Sequence, residues 1–262
     1  LKKEMGVNEL IVKSKSLIDN CRKNGTVQFS RMARLGFIAK IIFKSLVARG
    51  IISQDFYDAK YRSISTVATK INEDFKRLMN GEISKGKFIE EYYHLRPGTY
   101  DLTSLRYDAN PELINSFRQE AVEENKNEFY PAEEECKKIT SALQENKFRF
   151  DAGQFLDFVE ASTKARELSK FEFTKNLSEA LELLAEAGSK MGFTRKGIAL
   201  LDINEIFSCC DLDKKEIISR WKDLVQKYGV QKEIYDKLVL PPLICSDKDF
   251  EVVQFHKARP NF

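Results

Sequence analysis

The chain has 262 residues, of which 42% are hydrophobic and 32% are charged, with only 12 glycines and 6 prolines. This composition excludes collagen-like and disordered chains, argues against a turn-rich β sandwich and favours long helices. The 43 basic and 40 acidic residues leave a net charge of +3, which is too small to indicate a nucleic-acid partner.

The charges are unevenly distributed along the chain. Residues 1–96 carry 19 basic and 10 acidic side chains, residues 97–160 carry 7 and 14, and residues 161–262 carry 17 and 16. Solvated helix faces account for most such patterns. The alternative is a basic first third that docks on an acidic surface or on a phosphate-bearing partner.

The cysteines and the longest apolar run restrict the location of the protein. The five cysteines lack the spacing of a metal site, which indicates reduced thiols and a cytoplasmic protein. The most apolar stretch, Leu35 to Val47, is interrupted by Lys40 and Lys44, so we expect no membrane span. Because the sequence does not begin with methionine, we expect it to be a segment of a longer polypeptide.

Helical periodicity dominates the first hundred residues. Apolar residues at helical spacing predict a helix over Arg31–Arg49, and Ser53 is the expected N-cap of a second helix that runs through Met79. A third helix is predicted over Lys85–Tyr93. It is expected to end before the loop, because Pro97 disfavours helix in the residue that precedes it.

The rest of the chain predicts a further series of helices. Their expected starts follow Pro111, Pro131, Asp151, Thr194, Asp202 and Asp213. The helix from Asp151 is expected to end near Leu168, and a separate helix then runs to Met191, where Gly192 stops it. The helix that follows Asp213 is expected to stop at Gly229.

We therefore predict an all-α fold, a multi-helix bundle of about ten helices over residues 1–240. The pattern changes after Pro241 and Pro242, and the run from Phe250 to Phe255 predicts a short strand. Residues 241–262 are accordingly interpreted as a linker with a β-like C-terminal stub.

Most catalytic signatures are missing from the sequence. It has no Walker-type phosphate loop, no dinucleotide-binding glycine fingerprint and no nucleophile elbow. With His94 and His256 as its two histidines, a multi-histidine metal centre is excluded. We predict no catalytic residue, no metal site and no cofactor within these 262 residues.

The loop after the third predicted helix holds the densest group of polar side chains. Pro97 and Gly98 favour a type II turn in which the glycine takes a positive φ. Such a turn could hold Arg96 and Asp101 as a charge-assisted pair, or direct Arg96 and His94 toward an anionic ligand. The alternative is a buried polar network that fixes the loop between helices.

This loop also carries a family resemblance. Residues 93–108, YHLRPGTYDLTSLRYD, resemble a stretch of the phosphoenolpyruvate-utilising enzymes, and more narrowly of the phosphoenolpyruvate synthase/pyruvate phosphate dikinase-like proteins, including the rifampin phosphotransferase type. Residues 167–181, 240–244 and 258–262 are similar to further stretches of the same proteins, in the same order. The resemblance covers about residue 25 to the end.

The resemblance implies that the chain is the helical region between an ATP-grasp domain and a swivelling phosphohistidine domain, neither of which it contains. ATP and Mg²⁺ are then expected in the parent protein, and this segment is not catalytic by itself. His256 lies in the lead-in to the phosphohistidine domain, so neither it nor His94 is assigned the phosphohistidine role.

In the rifampin-modifying relatives the equivalent region binds the substrate that accepts the phosphoryl group. The resemblance therefore implies a pocket for such a phosphoryl acceptor here. Pyruvate, a drug-like molecule and a sugar-like compound are all left open as that acceptor. The predicted substrate-binding residues are His94, Arg96, Gly98, Asp101 and Arg106. The two arginines would screen the charge of the transferred phosphoryl group, with His94 and Asp101 orienting them.

A helical scaffold that docks a protein and binds no ligand is the alternative function. The basic first third and the acidic middle would suit intramolecular docking or a homodimer. The other expected partners are the two flanking domains of the same chain, with no nucleic acid and no membrane. An enclosed pocket beside His94 would favour a substrate domain, whereas a flat apolar patch would favour docking.

Overall fold

The structure is a computed structural model that describes residues 4–110, 129–238 and 243–250. Of the residues that the structure describes, 71% are helical and none lies in a strand, so the all-α, multi-helix prediction is confirmed. None of the helices in this part is long and apolar enough to cross a membrane. Three predictions lie outside the described residues. They are the helix after Pro111, the boundary at residue 241 and residues 251–255 of the predicted strand.

The chain divides into two compact units. The larger unit is Ser14–Glu182, and the smaller unit combines Leu1–Lys13 with Leu183–Phe262. The helices, in chain order, are α1 Val7–Asn20, α2 Val27–Ala48, α3 Gln54–Ser63, α4 Val67–Met79, α5 Lys85–Tyr92, α6 Glu133–Glu145, α7 Ala152–Lys190, α8 Arg195–Ile198, α9 Ile203–Phe207 and α10 Lys214–Tyr235, and a 3-10 helix covers Asp247–Phe250.

A π-helical segment, Cys21–Thr26, joins α1 to α2 without a break. The Thr26 hydroxyl donates to the Cys21 carbonyl oxygen at 3.3 Å and supports this wider turn. A Cβ atom on Gly25 would lie 2.5 Å from the Cβ of Phe173 on α7, so a glycine is needed where the two helices meet. Helix α2 therefore begins at Val27, four residues before its predicted start.

The single helix predicted from Ser53 to Met79 is two helices. Ser53 caps α3 as expected and accepts from the backbone N–H of Phe56 at 3.1 Å. Helix α3 nevertheless ends at Ser63. Thr66 adopts an extended backbone and forms a capping box with Thr69, so its side chain begins α4 as a new helix.

Two helices of the C-terminal half are longer than predicted. Helix α7 runs for 39 residues without the break predicted near Leu168. Gly229 lies inside α10 and does not end it, because an interior glycine costs about 1 kcal/mol relative to alanine and the flanking helix overrides that cost. Gly192 does follow the end of α7, with the positive φ of 85° that favours glycine.

The smaller unit is organised by the predicted helix caps. Thr194, Asp202 and Asp213 each accept backbone N–H groups of the helices that follow them, so these three predictions are confirmed. Trp221 of α10 is fully buried and meets Phe193 edge to face, with ring centroids 5.7 Å apart. This aromatic contact joins α10 to the turn after α7.

Two apolar clusters form the core of the larger unit. One is centred on Phe43 of α2, whose ring contacts Phe56 and Phe155 edge to face. The other is formed by aromatic and aliphatic side chains of α4, the turn between α4 and α5, α5, the loop after α5 and α7, which are Phe75, Ile83, Phe88, Tyr92, Tyr107 and Phe171. This second cluster supports the loop in which the sequence places the candidate binding residues.

Candidate functional site

The loop after α5 is bound to the face of α7. Its two arms are joined where the Tyr107 N–H donates to the Leu95 carbonyl oxygen at 2.9 Å. The hydroxyl of Ser178 on α7 donates to the His94 carbonyl oxygen at 2.7 Å. The two stretches 93–108 and 167–181 therefore lie in direct contact.

Arg96 anchors this contact from a position where its side chain is 1% exposed. Its guanidinium donates to the carbonyl oxygens of Asp101 and Ser104 at 3.3 and 3.0 Å, and so ties the loop to itself. It also donates to the Ser178 hydroxyl at 2.9 Å and to Glu182 Oε1 at 3.0 Å. Its carboxylate partner is thus Glu182, not Asp101, and the geometry is that of a buried polar network.

The turn at Gly98 differs from the predicted type II turn, because Gly98 does not have a positive φ. The turn runs from Gly98 to Asp101, whose N–H donates to the Gly98 carbonyl oxygen at 3.0 Å, so the glycine occupies the first position. Glycine is needed there for space, since a Cβ would lie 2.8 Å from the Asp101 Cβ. The Thr103 hydroxyl, which donates to the Asp101 carboxylate at 2.7 Å, lowers the pKa of that carboxyl.

Arg106 is bound by two carboxylates of its own chain. It donates to both oxygens of Asp108, at 3.1 and 2.9 Å, and to Glu179 Oε2 of α7 at 2.9 Å. Its guanidinium also lies over the Tyr93 ring, 5.5 Å from the centroid. Both arginines therefore fix the loop to α7, and their screening of a phosphoryl group stays a prediction.

His94 is the most unusual group of the site. The residue is 2% exposed, and neither ring nitrogen has a hydrogen-bond partner among the described residues. Burial, helped by the positive charges of Lys175 and Arg106, lowers the pKa of the imidazole to about 4, although the Phe171 backbone acts in the opposite direction. A neutral imidazole has one donor and one acceptor. The Phe171 backbone is a candidate partner for the donor, although it does not meet the geometry of a hydrogen bond.

His94 is one of the residues that line a pocket of about 210 Å³ between α4, the loop and α7. The pocket has an apolar wall that includes Val67, Ile71, Leu95 and Phe171. Its polar lining residues include Thr99, Glu167 and Lys170. The Lys170 ammonium forms no ion pair with the described part of the chain, so its charge is available to a ligand.

Helix α7 contributes one side of this pocket, which the sequence patterns did not predict. Residues 167, 170, 171, 174 and 178 line it, and their spacing of three and four places them on one helical face. That spacing is visible in the sequence. Which loop the face contacts is not visible, because the loop lies about 80 residues earlier in the chain.

His94 gives the stability of the fold a pH dependence. Because its pKa in the folded chain, about 4, lies below the ordinary value of 6.5, the unfolded chain binds more protons between these two values. We expect the His94 contribution to be complete above pH 6.5 and to fall by about 1 kcal/mol per pH unit as the pH drops toward 4. Urea denaturation between pH 7 and pH 4 should show a shallower pH slope for His94→Gln. An identical slope would contradict the neutral buried ring.

No three histidine, cysteine, aspartate or glutamate side chains converge as metal ligands within the described ranges. A scan against protein-family models, a search of curated proteins and a search of solved structures each find no match to this chain. Function is therefore inferred from the loop, the pocket and the chemistry of their side chains.

Proposed function

We propose that the chain is the helical domain of a phosphoenolpyruvate synthase/pyruvate phosphate dikinase-like phosphotransferase, and that its pocket beside His94 receives the phosphoryl acceptor. The observation that carries the proposal is His94, a residue of the pocket wall whose buried ring nitrogens form no hydrogen bond of good geometry with the described residues. A small acceptor with a hydroxyl or carboxylate group would supply the missing partners.

Each part of the pocket has a role in this proposal. The apolar wall around Phe171 excludes water, and Lys170 attracts an acceptor that carries negative charge. The unprotonated ring nitrogen of neutral His94 accepts a hydrogen bond from a hydroxyl group of the bound substrate. This bond orients the hydroxyl oxygen for in-line attack on the phosphoryl group. Arg96 and Arg106 act as positioning residues, because they hold the loop that carries His94 on α7.

The chemistry that needs nucleotide belongs elsewhere in this proposal. The described residues do not supply a cluster of metal ligands, so ATP and Mg²⁺ are assigned to the ATP-grasp domain and the phosphoryl carrier to the swivelling domain. All five cysteines are free thiols, which supports the cytoplasmic location that the proposal includes.

The first test is the coding sequence on both sides of these 262 residues. We expect an ATP-grasp domain before the chain and a glycine-rich phosphohistidine segment after it. Two unrelated flanking sequences would contradict the family assignment, whatever the pocket binds.

The second test measures phosphotransfer in the protein that contains this chain, with ³²P-labelled ATP and with pyruvate and hydroxylated small molecules as acceptors. We expect His94→Phe to raise the acceptor KM by about tenfold and to leave labelling of the protein by ATP unchanged, because the ring contacts the acceptor alone. His94→Gln, which keeps one donor and one acceptor, should restore much of the affinity. Label on a residue of this chain, or an unchanged KM in a folded His94→Phe variant, would count against the proposal.

A further inference from the structure

The outward side of α2 combines exposed apolar residues with basic residues. Its inward residues, among them Ala39, Phe43 and Leu46, belong to the core of the larger unit. The outward side exposes 40% of Leu35, 53% of Phe37, 48% of Ile38 and 68% of Ile41. We call this side, together with Arg31, Arg34, Lys40 and Lys44, the basic–apolar face of α2.

The four cations of this face have no acidic partner within the described ranges. Helix α2 contains no acidic residue, and none of its cations forms an ion pair with a described residue. Exposed lysines on α6 behave differently, because Lys137 and Lys138 each pair with a glutamate four residues earlier. The basic–apolar face thus carries a concentrated positive charge that an external anionic group could balance.

The arrangement of the face resembles the two zones of a protein interface. Ile38 and Ile41 form its apolar centre, and Arg34 and Lys44 lie about one turn to either side. The Phe37 ring is already held by the Arg166 guanidinium, 5.6 Å from its centroid, so less side-chain entropy is lost when a partner covers it.

We propose that the basic–apolar face of α2 docks an acidic amphipathic helix of a partner protein. The apolar side of such a helix would cover Ile38 and Ile41, and its carboxylates would pair with the four cations. A second copy of the same face would bring like charges together. Because the main apolar side of α2 is already buried in the core, the narrow remaining strip is a poor membrane anchor.

The probe that tests this proposal is a fluorescent helical peptide of about 20 residues, close to the length of α2, with leucine on one face and glutamate on the other. The intact chain is titrated and the peptide's anisotropy is measured. We expect the acidic peptide to bind and its lysine counterpart not to bind. Ile41→Glu should weaken binding by about tenfold or more.

Two variants serve as controls. Ile234→Glu makes the same change at an isoleucine of α10 that is 55% exposed, and it should leave the affinity unchanged. The double variant Arg34→Glu with Lys44→Glu leaves the face without net charge, and it should lose the acidic peptide. Circular dichroism establishes that each variant is folded.

Three outcomes would overturn the proposal. The first is equal binding of the acidic and basic peptides, and the second is an affinity for the acidic peptide that Ile41→Glu does not change. The third is that the peptide fails to bind while the chain forms a dimer, or binds phosphatidylserine vesicles, in a way that Ile41→Glu abolishes. The inference does not rest on the proposed phosphotransfer role, so a failure of either leaves the other standing.

Discussion

Replacing Arg96 with methionine is expected to lower the free energy of unfolding by about 3–5 kcal/mol, because it breaks a buried, hydrogen-bonded ion pair. The guanidinium is the donor to two loop carbonyls and to Ser178, and it is the cation that faces Glu182. A methionine fills much of the volume but donates no hydrogen bond, so the buried acceptors lose their partner. The loop would keep its contacts with α7 through Arg106 and through the His94 carbonyl, so we expect a weakened attachment of the loop and not its complete release.

Urea denaturation followed by circular dichroism measures this loss. Arg96→Lys keeps the charge but lacks the planar fork, and we expect a smaller loss for it. Arg22→Met is the matched control, since Arg22 is exposed and its single ion pair, with Asp19, should contribute little. If Arg96→Met is no more destabilising than Arg22→Met, the anchoring role of Arg96 is wrong.

Gly25→Ala is expected to lower the free energy of unfolding by about 1–3 kcal/mol. The new Cβ would lie 2.5 Å from the Cβ of Phe173, and a Cβ atom cannot move away by changing rotamer. The π-helical segment and α7 would have to separate, which would weaken the packing of Phe29 against Phe173.

Gly36→Ala provides a control with the opposite expected sign. Gly36 lies inside α2, and a Cβ added there would have its nearest neighbours, on Arg166 and Ser162, 3.7 Å away in ordinary contact. Alanine should therefore stabilise the helix by about 0.5–1 kcal/mol. Thermal unfolding of both variants tests the pair, and a stabilised Gly25→Ala would show that the close approach to Phe173 is not a constraint.

The sequence was most informative where the structure depends on neighbouring residues. The caps at Ser53 and Asp213 were predictable because a capping side chain binds a backbone group within three residues. The break at Thr66 was not predicted, because the apolar residues keep their helical spacing through this position. The structure nevertheless begins a new helix there, since Thr66 and Thr69 form a capping box. Gly229 was misjudged for the opposite reason, since a glycine alone does not end a helix.

The candidate site was predictable in position but not in partners. His94, Arg96 and Arg106 lie close together because one loop carries them all. Whether an arginine faces a ligand or a carboxylate of the chain depends on α7, whose Glu179 and Glu182 are more than 70 residues away in sequence. The unbonded imidazole of His94 is likewise a property of the folded neighbourhood, which no local pattern specifies.

The π-helical segment Cys21–Thr26 also sets the rotational phase of α2. A π turn accommodates one residue more than an α turn, and each residue of an α-helix advances the direction of its side chain by about 100°. Winding these six residues as a regular α-helix would rotate α2 by about that angle about its axis, so that different residues would meet α7. Deleting Asn24 as well would cancel this rotation, because the extra residue of the π turn would then be gone. Six residues that precede α2 thus decide which of its side chains point outward.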